Sequence, residues 1–300
     1  MRQFIKTSAL FVAALLTFPL SLAAQTDGPV GTIIIAHGAG PDWNAQVEKI
    51  ASLAETGGPI EISYLMGPAA ETHRFQDAAR RLADAGVSEI VVVPLLVSSN
   101  SGHYDQIRYL TGEIDTISET MQHHLHMAGI TPADVDIPIH LGKAIDDSPD
   151  AARVLAERAL ELAESPADQA LFIIGHGPNS AEDYAAWMEN LRPVADTVMA
   201  ATGFRDVKVG LVRDDAPAPV RAEAVKRIRE IIELQYALTG EPVVVVPVLI
   251  STGSVSKEKI PADIAGLPVV YSGEALLPHP GLADWVEARV RENSSRSVAR

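Results

Sequence analysis

The sequence contains no cysteine at any of its 300 positions. This absence excludes disulfide bonds and thiolate metal sites, so the fold must be stabilised by its core alone. Aromatic residues make up only 5% of the chain, and no basic patch interleaved with aromatic residues occurs. Because nucleic-acid binding rewards clustered Lys and Arg beside stacking rings, the sequence argues against a nucleic-acid partner.

Basic charge is also scarce, since 24 Lys and Arg stand against 39 Asp and Glu, for a net charge of −15. An acidic surface concentrates divalent cations and repels anionic organic ligands unless arginines compensate locally. Taken alone, however, the charge is most simply interpreted as an aid to solubility.

Long apolar runs are confined to the amino terminus. Arg2 and Lys6 precede the apolar stretch 9–22, which ends in the small residues of 21–24. This order is typical of a cleaved export signal, and the stretch is shorter than the roughly 20 residues that span a bilayer. We therefore predict a signal peptide at 1–24 and an exported, periplasmic protein without a stable membrane partner; an uncleaved membrane anchor is the alternative. Cleavage would change the net charge from −15 to −17.

Two apolar, β-branched runs end in a His-Gly pair. Residues 32–36 lead into His37 and Gly38, and residues 171–175 lead into His176 and Gly177, 139 positions later. Such runs, without polar alternation, are typical of strands buried on both faces of a parallel sheet. Ligands in open α/β sheets bind beyond the carboxyl ends of strands, which is where both histidines are expected.

The spacing of apolar residues predicts alternating strands and helices in each half. For the first half we expect further strands at 60–66, 90–97 and 137–140, and helices at 43–54, 75–82, 113–128 and 151–163. For the second half we expect strands at 207–212 and 243–250 and helices at 181–200 and 220–231.

Three landmarks recur in the same order, which indicates an internal duplication. Besides the two His-Gly pairs, 243–253 repeats 91–100, and 275–280 repeats 144–149. The predicted fold class is α/β, with two tandem flavodoxin-like parallel-sheet units at 25–165 and 166–300.

In such sheets the first and third strands are neighbours, so His37 and His103 are expected to face each other across one crevice. Neutral imidazoles suit Co²⁺, Fe²⁺, Ni²⁺ and Zn²⁺, and two of them leave coordination positions open for a substrate. They could equally accept protons near neutral pH. The simpler alternative is that each histidine only bonds to the backbone at a strand end.

Taken together, His-Gly after a buried strand, Val-Val-Pro-Leu-Leu followed by Gly-His, and His140–Asp147 resemble the class II chelatases, the cobalt- and ferrochelatases of sirohydrochlorin. The resemblance covers the mature chain in the two-domain form. It implies a lyase-type enzyme that inserts Co²⁺, Fe²⁺ or Ni²⁺ as substrate into a tetrapyrrole without a nucleotide. His37 and His103 would bind the metal and remove pyrrole protons, flanked by Gly38, Ser101 and Gly102 as binding residues.

Some positions depart from the family pattern. Val255 or Ser256 stands where the second unit would carry its second histidine, so that site is expected to be degenerate. Many relatives place an acidic residue before the proline after strand two, where this chain has Gly67, and Glu71 is the nearest carboxylate.

Other polar residues carry weaker expectations. His123, His124 and His126 are expected on a helix, where 123 and 126 share a face, either solvated or forming a flap over the first site. His279 is expected in a solvent-facing loop, with an approach to the cleft between the halves as the alternative. Candidate partners for tetrapyrrole carboxylates are Arg74, Arg80, Arg81, Arg108 and Arg213, most of them interpreted as ordinary surface charges.

Two other enzyme classes are disfavoured. No Gly-x-Ser-x-Gly elbow supplies a hydrolase nucleophile, and neither Gly-x-Gly-x-x-Gly nor a Walker lysine follows the first strand. The remaining alternative to a chelatase is a non-catalytic exported protein that binds metal, haem or another tetrapyrrole on the same fold. A homo-oligomer is compatible with either hypothesis.

Overall fold

The computed structural model describes residues 28–294, so the predicted signal peptide at 1–24 lies outside the described residues. Within them, helices alternate with the strands of two parallel four-stranded sheets, which confirms the predicted α/β fold of two tandem units. None of the helices in this part of the chain is both long enough and apolar enough to cross a bilayer.

The two units repeat one order of elements. The first contains β1 (Val30–Ala36), α1 (Pro41–Leu53), β2 (Ile60–Tyr64), a 3₁₀ helix (Pro68–Glu71), α2 (Phe75–Asp84), β3 (Glu89–Leu95), α3 (Gly102–Leu110), α4 (Glu119–Ala128), β4 (Ile139–Leu141) and α5 (Pro149–Leu162). The second contains β5 (Ala170–Gly175), α6 (Ala181–Thr202), β6 (Asp206–Leu211), α7 (Ala218–Thr239), β7 (Val243–Val248), a π-helical turn (Val255–Lys259), α8 (Ile260–Asp263), β8 (Val269–Tyr271) and α9 (Gly281–Asn293).

The strand order is β2-β1-β3-β4 in the first sheet and β6-β5-β7-β8 in the second. Every residue of the four central strands β1, β3, β5 and β7 is buried. This agrees with their continuous apolar sequences, since a central parallel strand is covered on both faces. Strands β1 and β3 are neighbours, and so are β5 and β7. The carboxyl ends of the first and third strands of each unit therefore lie side by side, as expected.

The helix predicted at 113–128 is wrong at 113–118, which is not helical. The chain instead forms α3 and α4, and α3 was not predicted from the sequence. Gly112 adopts a left-handed conformation (φ 79°) just after α3, and the Ser118 side chain caps α4 by accepting a bond from the Met121 amide at 3.4 Å. These two signals separate the helices, because glycine at positive φ ends a helix and serine at the N-cap starts one.

The last helix of each unit packs on the sheet of the other unit. Helix α5 contacts β7 and α6, and α9 contacts β3 and α1. One hydrophobic cluster accordingly includes buried residues of both halves, from Ile33 in β1 to Trp285 in α9. The predicted boundary at 165/166 stays a prediction, while this larger cluster is shared by both halves; a second cluster, which includes Phe172 and Ile232, lies within the second half.

Candidate functional site

His37 stands directly after β1, where Gly38 turns the chain at φ 84°. A Cβ at position 38 would lie 2.4 Å from the Met66 carbonyl oxygen, so only glycine fits this turn. The His37 Nδ1 lies 2.8 Å from the Gly38 carbonyl oxygen. Because a carbonyl only accepts, Nδ1 carries the proton, and Nε2 of the neutral ring keeps its lone pair.

His103 lies in the first turn of α3, because Ser101 caps this helix by accepting a bond from the Tyr104 amide. Its Nδ1 is 2.8 Å from Oε1 of the buried Gln106, whose Nε2 donates to the Met121 carbonyl at 2.8 Å. The second bond fixes the amide so that Oε1 faces the imidazole. The His103 Nε2 is therefore also left with its lone pair.

The structure brings these two histidines together as predicted, with ring centroids 4.6 Å apart and an angle of 87° between the rings. Burial lowers the pKa of His37, although its bond to Gly38 opposes this shift. Burial, with a contribution from His37, also lowers the pKa of His103 to about 4. Both rings are thus neutral at neutral pH, which is the form that binds a metal ion or accepts a proton.

The second unit repeats the geometry of His37 at His176. The His176 Nδ1 lies 2.8 Å from the Gly177 carbonyl oxygen, and Gly177 has φ 79°. The His176 Nε2 is 3.1 Å from a carboxylate oxygen of Asp215, and His176 interacts electrostatically with both His37 and His103. Three imidazoles from the two units therefore share one region of the molecule.

These histidines line a cleft of about 1010 Å³ between the two units. Leu96 and Val97 after β3 form one apolar wall, and Leu249 and Ile250 after β7 form its counterpart. The predicted binding residues Ser101 and Gly102 line the cleft, whereas Gly38 lies outside that lining and turns the chain after His37. The indole rings of Trp43 and Trp187 lie on the cleft as well. The volume and apolar lining suit a large, flat organic molecule.

Each unit holds a cleft loop of the other. Trp187 of α6 donates from its indole nitrogen to the Asn100 carbonyl at 2.7 Å, directly before the Ser101 cap of α3. Asp146 accepts bonds from the amide and hydroxyl of Ser99, both at 2.7 Å, and from Asn190 of α6 at 3.2 Å. The acidic residue of the 140–147 motif therefore fixes the loop that leads to His103.

The reciprocal contact joins α1 to the loop after β7. Gln46 and Thr252 exchange two bonds of 3.1 Å, and the Ser251 hydroxyl donates to the Trp43 carbonyl at 3.1 Å. The loop after β3 is thus bonded to α6 of the second unit, and the loop after β7 is bonded to α1 of the first.

The charged residues that line the cleft are four carboxylates, those of Asp42, Asp183, Asp215 and Glu258, and the ammonium group of Lys257. None of the five candidate arginines lines it. Arg74 donates to the Ala128 carbonyl, Arg80 and Arg81 pair with Asp77 and Glu61, Arg108 pairs with Asp105 and Glu113, and Arg213 donates to the carbonyls of Pro178 and Asn179. The expectation that most of them are not site residues agrees with these contacts.

The position equivalent to His103 in the second unit offers no imidazole. Ser256 is fully buried and exchanges bonds of 3.1 Å with the Gly253 backbone, while Val255 presents an apolar side chain to the cleft. In the first unit, Glu71 ends the 3₁₀ helix, is exposed and does not line the cleft.

The four histidines for which the sequence carried weaker expectations divide into three groups. His123 and His126 are exposed on α4, in agreement with the solvated interpretation. His124 is half-buried and interacts electrostatically with His37 and His103. The face of α4 that approaches the site therefore carries His124, not the pair His123 and His126 that share the other face. His279 is mostly buried against Glu157, 2.9 Å from its carboxylate, and does not line the cleft.

Sequence reasoning missed Asp215, although a signal for it exists. Amides of equivalent residues, Met66 after β2 and Arg213 after β6, donate to the carbonyls of His37 and His176. This register matches Gly67 and Pro68 in the first unit to Asp214 and Asp215 in the second. Aligning the two halves on their His-Gly pairs and then on the strands that follow would have identified the position.

Comparison with known families adds an independent result. The sequence model of the CbiX family matches residues 31–162 and again 170–293. The chain therefore belongs to the CbiX family, and the resemblance to class II chelatases is confirmed. The comparison with curated protein sequences gave no match.

Solved structures of chelatases share the fold. SirB from Bacillus subtilis with Fe³⁺ aligns at a TM-score of 0.62 and 16% identity, over 91% of this chain and 98% of that one. The sirohydrochlorin chelatase SirB from Bacillus subtilis subspecies spizizenii in complex with cobalt aligns at 0.58 and 18%, with the same coverage. A multi-domain protein of Deinococcus radiodurans with structural similarity to chelatases aligns at 0.57 and 16%, over 88% of this chain and 55% of that one.

Proposed function

We propose that this protein inserts a divalent metal ion, Co²⁺, Fe²⁺ or Ni²⁺, into a sirohydrochlorin-type tetrapyrrole. The observation that carries the proposal is the pair formed by His37 and His103. Both rings are anchored through Nδ1, so both Nε2 atoms remain available as metal ligands. The cleft beside this pair has the volume for a macrocycle, and membership of a chelatase family favours this chemistry.

The reaction would require a ligand exchange and a proton transfer. The ion, as substrate, is first bound by the two neutral imidazoles. As it moves to the macrocycle, metal–nitrogen bonds form and two pyrrole N–H bonds break. The imidazoles that release the ion can accept those protons, because their Nε2 lone pairs become free as the ion leaves.

One observation favours a second candidate, an exported protein that binds metal or tetrapyrrole without catalysis. The cleft is lined by four carboxylates and one lysine, and the candidate arginines lie elsewhere. Such a lining attracts cations but repels a macrocycle with many carboxylates, so it favours the metal-binding form of this candidate. Export itself rests on the sequence alone, and amino-terminal sequencing of the secreted protein would test cleavage after residue 24.

The deciding experiment is anaerobic absorbance spectroscopy of the mature protein with sirohydrochlorin and Co²⁺ or Fe²⁺. We expect insertion well above the rate without protein, and a loss of about 100-fold or more in His37→Ala and in His103→Ala. His123→Ala, which alters an exposed histidine of α4, is the matched control and should retain the full rate. Binding of metal or tetrapyrrole with no acceleration of insertion would reject the enzyme and support the second candidate.

A further inference from the structure

Asp215 belongs to the part of the cleft wall that the second unit contributes. Its side chain is 65% exposed, and its carboxylate lies 3.1 Å from the His176 Nε2. It lines the same cleft as His37 and His103 and interacts electrostatically with His37. It is therefore an anionic group with access to the space next to the imidazole pair.

The backbone that presents Asp215 is firmly held. The Arg213 amide donates to the His176 carbonyl at 2.6 Å, and the Arg213 side chain donates to the carbonyl of Pro178 at 3.1 Å. The neighbouring Asp214 is 3% exposed and pairs with Arg221 at 3.2 Å and with Lys259. Asp215 thus projects from a rigid loop, which limits the entropy lost when it contacts a ligand.

Asp214 and Asp215 have different electrostatic roles. Burial raises the pKa of Asp214, but its bonds from Lys259 and Arg221 outweigh burial and hold that pKa below its ordinary value. The negative charge of Asp214 is therefore neutralised by two cations. Within residues 28–294 Asp215 forms an ion pair with the imidazole of His176 and with no Lys or Arg, so its charge remains available to the cleft.

The first unit lacks this charge at the corresponding place, because the backbone register matches Asp215 to Pro68. Two neutral imidazoles bind a divalent ion without compensating its charge, and a nearby carboxylate stabilises the ion as its water shell is removed. The two units carry complementary parts: the first has both histidines, and the second has a histidine and an exposed carboxylate.

We propose that Asp215, positioned beside His176, receives the divalent ion in the cleft and compensates its charge while the ion passes to His37 and His103. This inference rests on the proposed function, because it assigns a residue to the same reaction. The second unit then contributes a metal-binding carboxylate to the site in addition to residues that line the cleft.

The test compares the mature protein with Asp215→Asn, which removes the charge and keeps the shape of an exposed side chain. We expect the KM for Co²⁺ in the insertion assay, and the Kd for Co²⁺ measured calorimetrically without macrocycle, to rise about tenfold. The KM for sirohydrochlorin should not rise, since the lost charge repels its carboxylates. Asp215→Glu should restore both metal constants to within about threefold, which a purely structural role would not predict.

Glu71→Gln provides the matched control, because it removes an exposed carboxylate of the first unit that does not line the cleft. Its metal constants should equal those of the unaltered protein. Equal values for Asp215→Asn and Glu71→Gln would overturn the inference. If the unaltered protein binds Co²⁺ but inserts no metal, the proposed function fails, while a tenfold weaker Kd in Asp215→Asn would still support the role of Asp215 in receiving the ion.

Discussion

At the scale of single residues, His37, His103 and His176 share one chemical arrangement. In each, Nδ1 is held 2.8 Å from an oxygen acceptor, either a glycine carbonyl or the Gln106 amide. Orientation and tautomer are thereby fixed before any ligand arrives, which reduces the entropy cost of binding. The acceptors are local in sequence, one residue away for His37 and His176 and three residues away for His103.

The lowered pKa of His103 predicts a specific dependence of stability on pH. The unfolded chain binds this proton near pH 6.5, whereas the folded chain binds it only near pH 4. The free energy of unfolding should therefore fall as the pH drops from about 6.5 to about 4. In His103→Gln that decline should be shallower by about 1 kcal/mol per pH unit, measured by urea unfolding at several pH values.

His123→Gln is the control for this measurement, because it removes an exposed histidine of the same unit. The two variants should differ in slope between pH 6.5 and pH 4 and agree above pH 7. Identical slopes would mean that His103 does not carry the predicted shift.

Residue identities could be predicted from the sequence only where a local pattern marks them. His37 and His103 follow recognisable strands, so their convergence was predictable from topology. His124 and Asp215 depend on how α4 and the loop after β6 pack against distant elements. Helical spacing placed His124 away from its neighbours, but only the packed structure identifies the face that approaches the site.

At the scale of elements, the loop between β3 and α3 determines where His103 lies. Its backbone is held by Asp146 of its own unit and by Trp187 and Asn190 of α6. Because loops lack internal ladders of hydrogen bonds, such contacts decide their conformation. The second unit therefore positions a histidine that belongs to the first.

Removing one of these contacts should weaken both the fold and the site. Trp187→Phe keeps an aromatic ring but leaves the Asn100 carbonyl without its 2.7 Å donor. We expect a loss of about 1–2 kcal/mol in the free energy of unfolding, measured by urea denaturation, and weaker Co²⁺ binding in calorimetry. Tyr236→Phe, on the exposed face of α7, should change neither; an unchanged Trp187→Phe would show that this bond does not hold the loop.

Most elements were predictable because their apolar spacing is strong, as in β1, β3 and α2. The predicted helix at 113–128 began too early and α3 was missed, since apolar spacing alone does not show that Ser118 is the N-cap at which α4 starts. Capping residues act through one or two hydrogen bonds, and a periodic apolar signal conceals them.

At the scale of the whole molecule, the duplication was predictable but the exchange of helices was not. Repeated landmarks give the order of elements, whereas the sheet on which α5 or α9 packs is a long-range contact that apolar spacing does not encode. The core consequently joins the halves more closely than the sequence boundary at 165/166 suggests.

The shared core predicts a single cooperative unfolding transition. Trp43 reports on the first unit and Trp285 on α9, so tryptophan fluorescence and far-ultraviolet circular dichroism should give coincident urea curves. The variant Trp43→Phe, which leaves Trp187 and Trp285 as the fluorescent probes, should give the same midpoint by both methods. Two separated transitions would contradict the shared core.

The exchanged helices also change what the link between Leu162 and Ala170 does. Each sheet is covered partly by helices of its own half and partly by the last helix of the other half, as in a domain-swapped dimer. The link replaces a bimolecular encounter with an intramolecular one and keeps each half at a high effective concentration around the other. Because the halves are covalently linked, their association does not depend on protein concentration. Two halves that cannot separate can also differ in sequence, so that each carries different residues of the cleft.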